Sequence, residues 1–118
     1  MNIVITGASG LLGTELIYQL QHTTHNIFAL TSNKEALLSK WTADNVHIHS
    51  VEEWESRAFS LEGKDVIIHS GFARAYKGGE EIARSLLFTK KLFDEIRDKK
   101  VKGLINISTQ EVYGKKNA

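Results

Sequence analysis

Three glycines near the N-terminus, Gly7, Gly10 and Gly13, have a spacing suited to binding phosphate groups. They follow the apolar run 3–5 and open a stretch with helical apolar periodicity. Glycines let the backbone turn tightly and approach a ligand, and a helix start offers free N–H groups. This order of strand, turn and helix predicts binding of a dinucleotide pyrophosphate. The alternative is a tight turn that binds nothing. The predicted cofactor-binding residues of this loop are Thr6, Gly7, Ser9, Gly10, Leu11, Leu12 and Gly13.

The residues at the tip of the second predicted strand should select the form of the cofactor. They are Thr31, Ser32, Asn33 and Lys34, and none of them is acidic. A carboxylate at this position would bind the ribose hydroxyls and repel a 2′-phosphate. Hydrogen-bond donors and a positive charge stand here instead, which favours NADP(H) over NAD(H). Ser32 or Asn33 could also cap the helix that begins near Lys34, and the two roles are compatible.

The elements that must position these residues alternate along the chain. Near-continuous apolar runs predict strands at residues 2–6, 26–31, 46–49, 65–69 and 103–108. Helical periodicity predicts helices at residues 10–22, 34–42 and 79–100, with a short piece near 52–60. The long helix is expected to bury a single stripe that consists of Ile82, Ala83, Leu86, Leu87, Phe93 and Ile96.

Alternation of this kind predicts an α/β fold with a doubly wound parallel sheet, the Rossmann fold. If the strand order is 3-2-1-4-5, the ligand lies over the carboxyl ends of the first and fourth strands. Residues 1–118 are then expected to form one NAD(P)-binding domain, incomplete on its C-terminal side.

Residues 6–13, TGASGLLG, resemble the cofactor loop of short-chain dehydrogenases/reductases, and the final GLLG is similar to the extended epimerase/dehydratase branch. Residues 65–71, DVIIHSG, resemble the D-V-V-I-H-x-A segment of that family. Residues 103–114 resemble its strand followed by S-S-x-x-V-Y-G. The resemblance implies an NAD(P)-dependent oxidoreductase acting on a nucleotide sugar or a similar small metabolite.

The resemblance also implies roles for individual residues. Ser70, Gly71 and Phe72 would lie along the cofactor, where Phe72 replaces a small residue. Thr109 takes the position of the family's catalytic serine or threonine, which positions the substrate, and its neighbour Ser108 would border the cofactor. A polar strand end that caps the following turn is the alternative for Thr109. Asp65 and His69 are interpreted as structural, and Ser85 replaces the family's asparagine.

The family's Tyr-x-x-x-Lys pair, which passes the proton during oxidation or reduction, is absent from the sequence. None of the three tyrosines, Tyr18, Tyr76 and Tyr113, has a lysine four positions later. We therefore expect an N-terminal portion of a longer enzyme that is inactive as it stands. The alternative is a non-catalytic NADP(H)-binding redox sensor or regulatory subunit.

Composition and sequence patterns argue against thiolate catalysis, nucleic-acid binding, a membrane segment and a metal site. The 118 residues include no cysteine, which excludes thiolate catalysis and fits a cytoplasmic location. The net charge of +1 argues against a nucleic-acid partner, and no apolar run suggests a membrane segment. His47 and His49 alternate on a strand without a third ligand, so no metal site is predicted. The apolar fifth strand, left as a sheet edge, predicts self-association.

Overall fold

The computed structural model describes residues 1–8, 10–69, 79–99 and 101–106. Within them strands and helices alternate. In chain order the elements are β1 (Asn2–Thr6), α1 (Leu11–Leu20), β2 (Asn26–Thr31), α2 (Lys34–Lys40), β3 (Val46–Ser50), α3 (Val51–Glu55), β4 (Val66–His69), α4 (Gly79–Asp98) and β5 (Gly103–Asn106). No helix in these four ranges is long and apolar enough to cross a membrane.

The five strands form one parallel sheet in the order β3-β2-β1-β4-β5, which confirms the predicted doubly wound α/β arrangement. β1 is central, and its Ile5 pairs with Ala29 of β2 and Ile68 of β4. The chain runs outward from β1 through β2 to β3 and then crosses over to β4. The strand order therefore reverses beside β1, and ligands of such sheets bind at the carboxyl end of this switch point.

Both faces of the sheet are covered, which explains why the strands are apolar at nearly every position. Successive side chains of β1 point to opposite faces. Ile5 packs with Ile17 of α1 in one cluster. Val4 packs in a second cluster with Trp54 of α3 and Leu92 of α4. The glycine loop thus begins at the end of a strand that packing holds from both sides.

The buried face of α4 differs from the predicted stripe. Leu92 is fully buried, and Phe88 and Ile96 pack beside it, so the contact line follows residues four apart. Leu86, Leu87 and Phe93 are 55%, 59% and 37% exposed. Ala83 is also exposed, and the prediction that these four residues are buried is wrong. The reason is geometric, because a helix lying on a sheet contacts it along one narrow line. The side chain of Ile82 lies outside the described part of α4.

All four helices end two to five residues earlier than predicted, and α1 and α3 are each followed by a residue in the left-handed region. His22, with a φ of 64°, follows α1, and Arg57, with a φ of 70°, follows α3. Periodicity extended α2 and α3 because Trp41 and Phe59 in the following turns are apolar, whereas residues 21–25 after α1 are all polar. Residues 107 and 108, predicted to complete the fifth strand, lie outside the described residues.

Asp65 joins the amino ends of three strands, at the edge of the sheet opposite the glycine loop. Its Oδ2 accepts a hydrogen bond of 2.7 Å from the backbone N–H of Asn2, and its Oδ1 lies 3.8 Å from Nζ of Lys102. The hydrogen bond from Asn2 lowers the pKa of Asp65. Its contacts are those of a residue that ties β4 to its neighbours.

Candidate functional site

The glycine loop connects β1 to α1 in a conformation that its glycines permit. Gly7 has a φ of 63°, in the region that side chains disfavour, and its carbonyl accepts a hydrogen bond of 3.0 Å from the N–H of Gly10. A Cβ on Gly13 would lie 2.4 Å from the Gly7 carbonyl oxygen and 2.8 Å from Cα of Ala8. The first turn of α1 therefore packs directly on the loop, which only glycine at position 13 allows.

The start of α1 can receive an anion. Gly10 is the N-cap residue and offers no side chain to the first N–H groups, and the first turn contains no acidic residue. Leu11 is 89% exposed, so its side chain does not cover the helix end. The first N–H groups of a helix have no intrahelical partner and lie at the positive end of the dipole. This geometry suits the phosphates of a dinucleotide.

A buried histidine stands beside the loop. His69, at the end of β4, is 2% exposed. Its Nδ1 is 2.7 Å from Oγ1 of Thr6, and its Nε2 is 3.1 Å from Oγ1 of Thr89 on α4. Burial lowers the pKa of His69, which favours the neutral imidazole. Both ring nitrogens are engaged, as expected for a structural histidine.

At the tip of β2 the contacts of the polar side chains differ from the predicted cofactor-selecting and helix-capping roles. Thr31 is 2% exposed, and its Oγ1 accepts a hydrogen bond of 2.9 Å from the N–H of Asn33. The threonine hydroxyl therefore shapes the turn, whereas Ser32 and Asn33 are exposed. Asn33 is the N-cap residue of α2 but makes no side-chain capping bond.

Lys34 is paired with an acid from a neighbouring element. Its Nζ lies 2.8 Å from Oε2 of Glu53. Glu53 also forms a capping box with Ser50, in which each side chain binds the backbone N–H of the other residue. The hydrogen bond from Lys34 is the main cause of a lowered pKa at Glu53. The cation predicted to select the cofactor thus already has a partner in this structure.

A cleft of about 520 Å³ opens beside the loop at the carboxyl ends of β1, β2 and β3. Residues of the loop and the β2 tip form one wall, and residues of α3 and α4 form the other. Among the described residues its lining includes Gly7, Leu30, Thr31, Ser32, Val51, Glu52, Glu55, Arg84, Leu87, Phe88 and Lys91. A cleft at this place and of this size can hold part of a dinucleotide.

Sequence reasoning missed the second wall of the cleft. Arg84, Leu87, Phe88 and Lys91 have the spacing of one helical face, but this face of mixed polarity forms no apolar stripe. Among the four, the sequence singles out only Leu87, and it predicts that Leu87 is buried rather than that it lines a site. Lys91 of α4 lies 3.9 Å from Glu55 of α3 within this wall. The lining therefore carries charges of both signs rather than a purely basic surface.

The predicted site residues fall into two groups, those that the structure brings together and those outside the described residues. Thr6, Gly7, Gly10, Leu11, Leu12 and Gly13 lie together at the loop, with Thr31, Ser32, Asn33 and Lys34 at the adjacent strand tip. The positions outside the described residues are Ser9, Ser70, Gly71, Phe72, Ser108 and Thr109.

The two histidines of β3 stack on aromatic rings. The rings of His47 and Phe28 are 4.9 Å apart, and those of His49 and Phe59 are 4.3 Å apart. Burial lowers the pKa of His49. Within the described ranges no group of three His, Asp or Glu residues is arranged to hold a metal ion. These contacts give His47 and His49 a packing role.

Residues 3–118 match the model of the NAD dependent epimerase/dehydratase family. No curated protein sequence matches the chain. Similar solved structures include the UDP-glucose 4-epimerase of Thermotoga maritima, with a TM-score of 0.72 and 22% identity over 92% of this chain and 38% of that one. A uronate dehydrogenase variant from Agrobacterium tumefaciens, solved with NAD, has a TM-score of 0.72 and 19% identity over 92% and 41%.

An oxidoreductase from Lactococcus lactis, ylbE, has a TM-score of 0.64 and 27% identity over 92% of this chain and 48% of its own. This chain therefore spans less than half the length of these structures. Their likeness shows the fold, and the family match covers nearly every residue. The sheet order, the glycine loop and this match together show that the chain belongs to the NAD-dependent epimerase/dehydratase family.

Proposed function

We propose that this chain is the dinucleotide-binding domain of an epimerase/dehydratase-like oxidoreductase that acts on a nucleotide sugar or a similar small metabolite. It binds NADP(H) in preference to NAD(H) and does not turn over substrate by itself. The supporting observation is the glycine loop, which places the open N-terminus of α1 at the sheet's switch point and beside the 520 Å³ cleft. The pyrophosphate binds at Gly7, Gly10 and Gly13, and the adenosine half enters the cleft.

The preference for NADP(H) depends on whether Lys34 can exchange partners. Lys34 and Glu53 are each about one-third exposed, and such a pair contributes about 0.2–1 kcal/mol. A charge-assisted hydrogen bond to phosphate contributes about 1.5–3 kcal/mol. A 2′-phosphate can therefore replace Glu53 as the partner of Lys34. Ser32 and Asn33 are exposed at the same tip and can donate further hydrogen bonds.

The roles proposed for the residues near the reacting atoms rest on the family resemblance alone. Ser70, Gly71, Phe72 and Ser108 would border the cofactor, and Thr109 would position the substrate. Inactivity follows from the missing Tyr-x-x-x-Lys pair, without which the proton has no carrier. The same absence favours a second candidate, a non-catalytic redox sensor or regulatory subunit. A coding sequence that supplies Tyr-x-x-x-Lys soon after residue 118 would refute that second candidate.

Nucleotide titration of the 118-residue chain tests the proposal. We expect saturable binding of NADPH, measured by its fluorescence, with a lower Kd than that of NADH at the same ionic strength. We also expect no hydride transfer with nucleotide sugars or uronates. The absence of saturable binding for both nucleotides would refute the proposed function. A dehydrogenase rate that Thr109→Ala abolishes would refute the proposed inactivity.

The edge of the sheet supports a proposal of self-association. Within the described residues β5 pairs with β4 on one side, and Leu104 and Ile105 are 40% and 52% exposed. An exposed apolar edge strand is a template for pairing with another chain. The proposed partner is a second copy of this domain. The proposed location of the protein is the cytoplasm.

A further inference from the structure

The three-residue contact around His69, here called the histidine bridge, joins three elements that are far apart in sequence. It consists of Thr6 at the end of β1, His69 at the end of β4 and Thr89 in the middle of α4. Phe88 and Phe93 enclose the imidazole, with ring centroids 5.8 Å and 6.1 Å from it. The bridge therefore connects the first residue of the glycine loop to the helix that lines the cleft.

The histidine bridge requires a hydrogen-bond partner for each ring nitrogen of His69. A buried neutral imidazole has one N–H donor and one acceptor nitrogen, and each needs a partner. A threonine hydroxyl can donate or accept, so two threonines satisfy the ring in either tautomer. Removal of one hydroxyl leaves a buried ring nitrogen unpaired, which costs more than the hydrogen bond itself contributes. The arrangement is stable only while all three side chains keep their places.

The position of Thr6 determines the position of the loop. Gly7 follows it directly with a φ of 63°, and the Gly7 carbonyl accepts the N–H of Gly10. The first turn of α1 packs on the same carbonyl so closely that a Cβ at Gly13 would not fit. A shift of Thr6 is therefore transmitted to the N–H groups that would bind the pyrophosphate.

We propose that His69 is a positioning residue, which through Thr6 and Thr89 fixes the glycine loop relative to α4 and so holds the two walls of the cleft in register. It does not contact the reacting atoms. Its effect on nucleotide affinity rests on the proposed function, whereas its effect on the loop does not. The two effects can be measured separately.

The test compares three threonine variants by amide hydrogen exchange, first without nucleotide. Thr89→Val removes the hydroxyl at nearly constant volume, and Thr89→Ser restores it. Thr23→Val is the control, because the Thr23 hydroxyl donates to the Leu20 carbonyl at the far end of α1. We expect Thr89→Val to speed exchange at Gly10 and Thr14, whose N–H groups donate to the carbonyls of Gly7 and Gly10, by about threefold to tenfold, the equivalent of one hydrogen bond. Thr89→Ser and Thr23→Val should leave these amides unchanged.

The NADPH Kd of the same variants is the second readout. We expect it to rise by about threefold to tenfold in Thr89→Val alone, measured on protein that circular dichroism shows to be folded. If Thr89→Val folds poorly, Thr89→Ala replaces it, because alanine favours the helix. Loop exchange that stays at the wild-type rate, or that rises equally in Thr23→Val, overturns the histidine bridge as a positioning device. If the wild type binds no nucleotide, the proposed function fails while the exchange data still decide the bridge.

Discussion

Gly13→Ala probes the close packing of α1 on the glycine loop. The new Cβ would lie 2.4 Å from the Gly7 carbonyl oxygen, and real Cβ contacts essentially never fall below 3.0 Å. The loop must therefore move by about 0.6 Å, which is enough to stretch a hydrogen bond of about 2.9 Å beyond its usual upper limit of about 3.2 Å. Loss of one N–H bond to a charged phosphate costs about 1.5–3 kcal/mol, so the NADPH Kd should rise about tenfold to hundredfold.

Stability should change less than affinity. Overpacking costs about 1–3 kcal/mol, whereas alanine in a helix gains about 1 kcal/mol over glycine, so the two effects partly cancel. Urea denaturation gives the free energy of unfolding, and fluorescence titration gives the Kd. Gly63→Ala is the matched control, since Gly63 has a φ of 79° and lies in the turn before β4, at the opposite edge of the sheet. It should lower stability and leave the Kd unchanged. If folded Gly13→Ala binds NADPH as tightly as the wild type, the phosphates do not lie on this loop.

Three further changes test other parts of the structure. Glu53→Gln keeps the capping box but frees Lys34, so NADPH affinity should rise about twofold to fivefold relative to NADH in paired titrations; an equal shift for both nucleotides would contradict this. Asp65 has a folded pKa below its unfolded value, so its stabilisation is present at neutral pH and is lost as the pH falls through the folded pKa. Urea denaturation at neutral and acidic pH should show a smaller acid loss in Asp65→Asn than in the wild type, and equal losses would refute the assignment. Ile105→Lys should abolish concentration-dependent association in light scattering, and undiminished association would exclude the β5 edge.

Local sequence patterns determined the elements and the glycine loop. The apolar runs predicted all five strands because a strand buried on both faces must be apolar at successive positions. Gly7, Gly10 and Gly13 were found from their spacing and neighbours, and the structure gives the reason for each end of the motif: a positive φ at Gly7 and the absence of space at Gly13. Helix ends were less predictable, and after α3 the apolar Phe59 in the following turn prolongs the periodic pattern.

The tertiary structure decided what the predicted residues contact. Glu53 is 19 residues from Lys34 in sequence, and Thr6 is 63 residues from His69, so no local pattern indicates either pair. The placement of α3 brings Glu53 to Lys34, and the pairing of β1 with β4 brings Thr6 to His69. The position of α3 and α4 on one face of the sheet supplies the second wall of the cleft. Sequence alone determined that the chain can turn tightly at the glycine loop, because that property belongs to consecutive backbone residues. Packing decided which charges and hydroxyls surround the cleft, because those side chains meet only after the strands and helices have assembled.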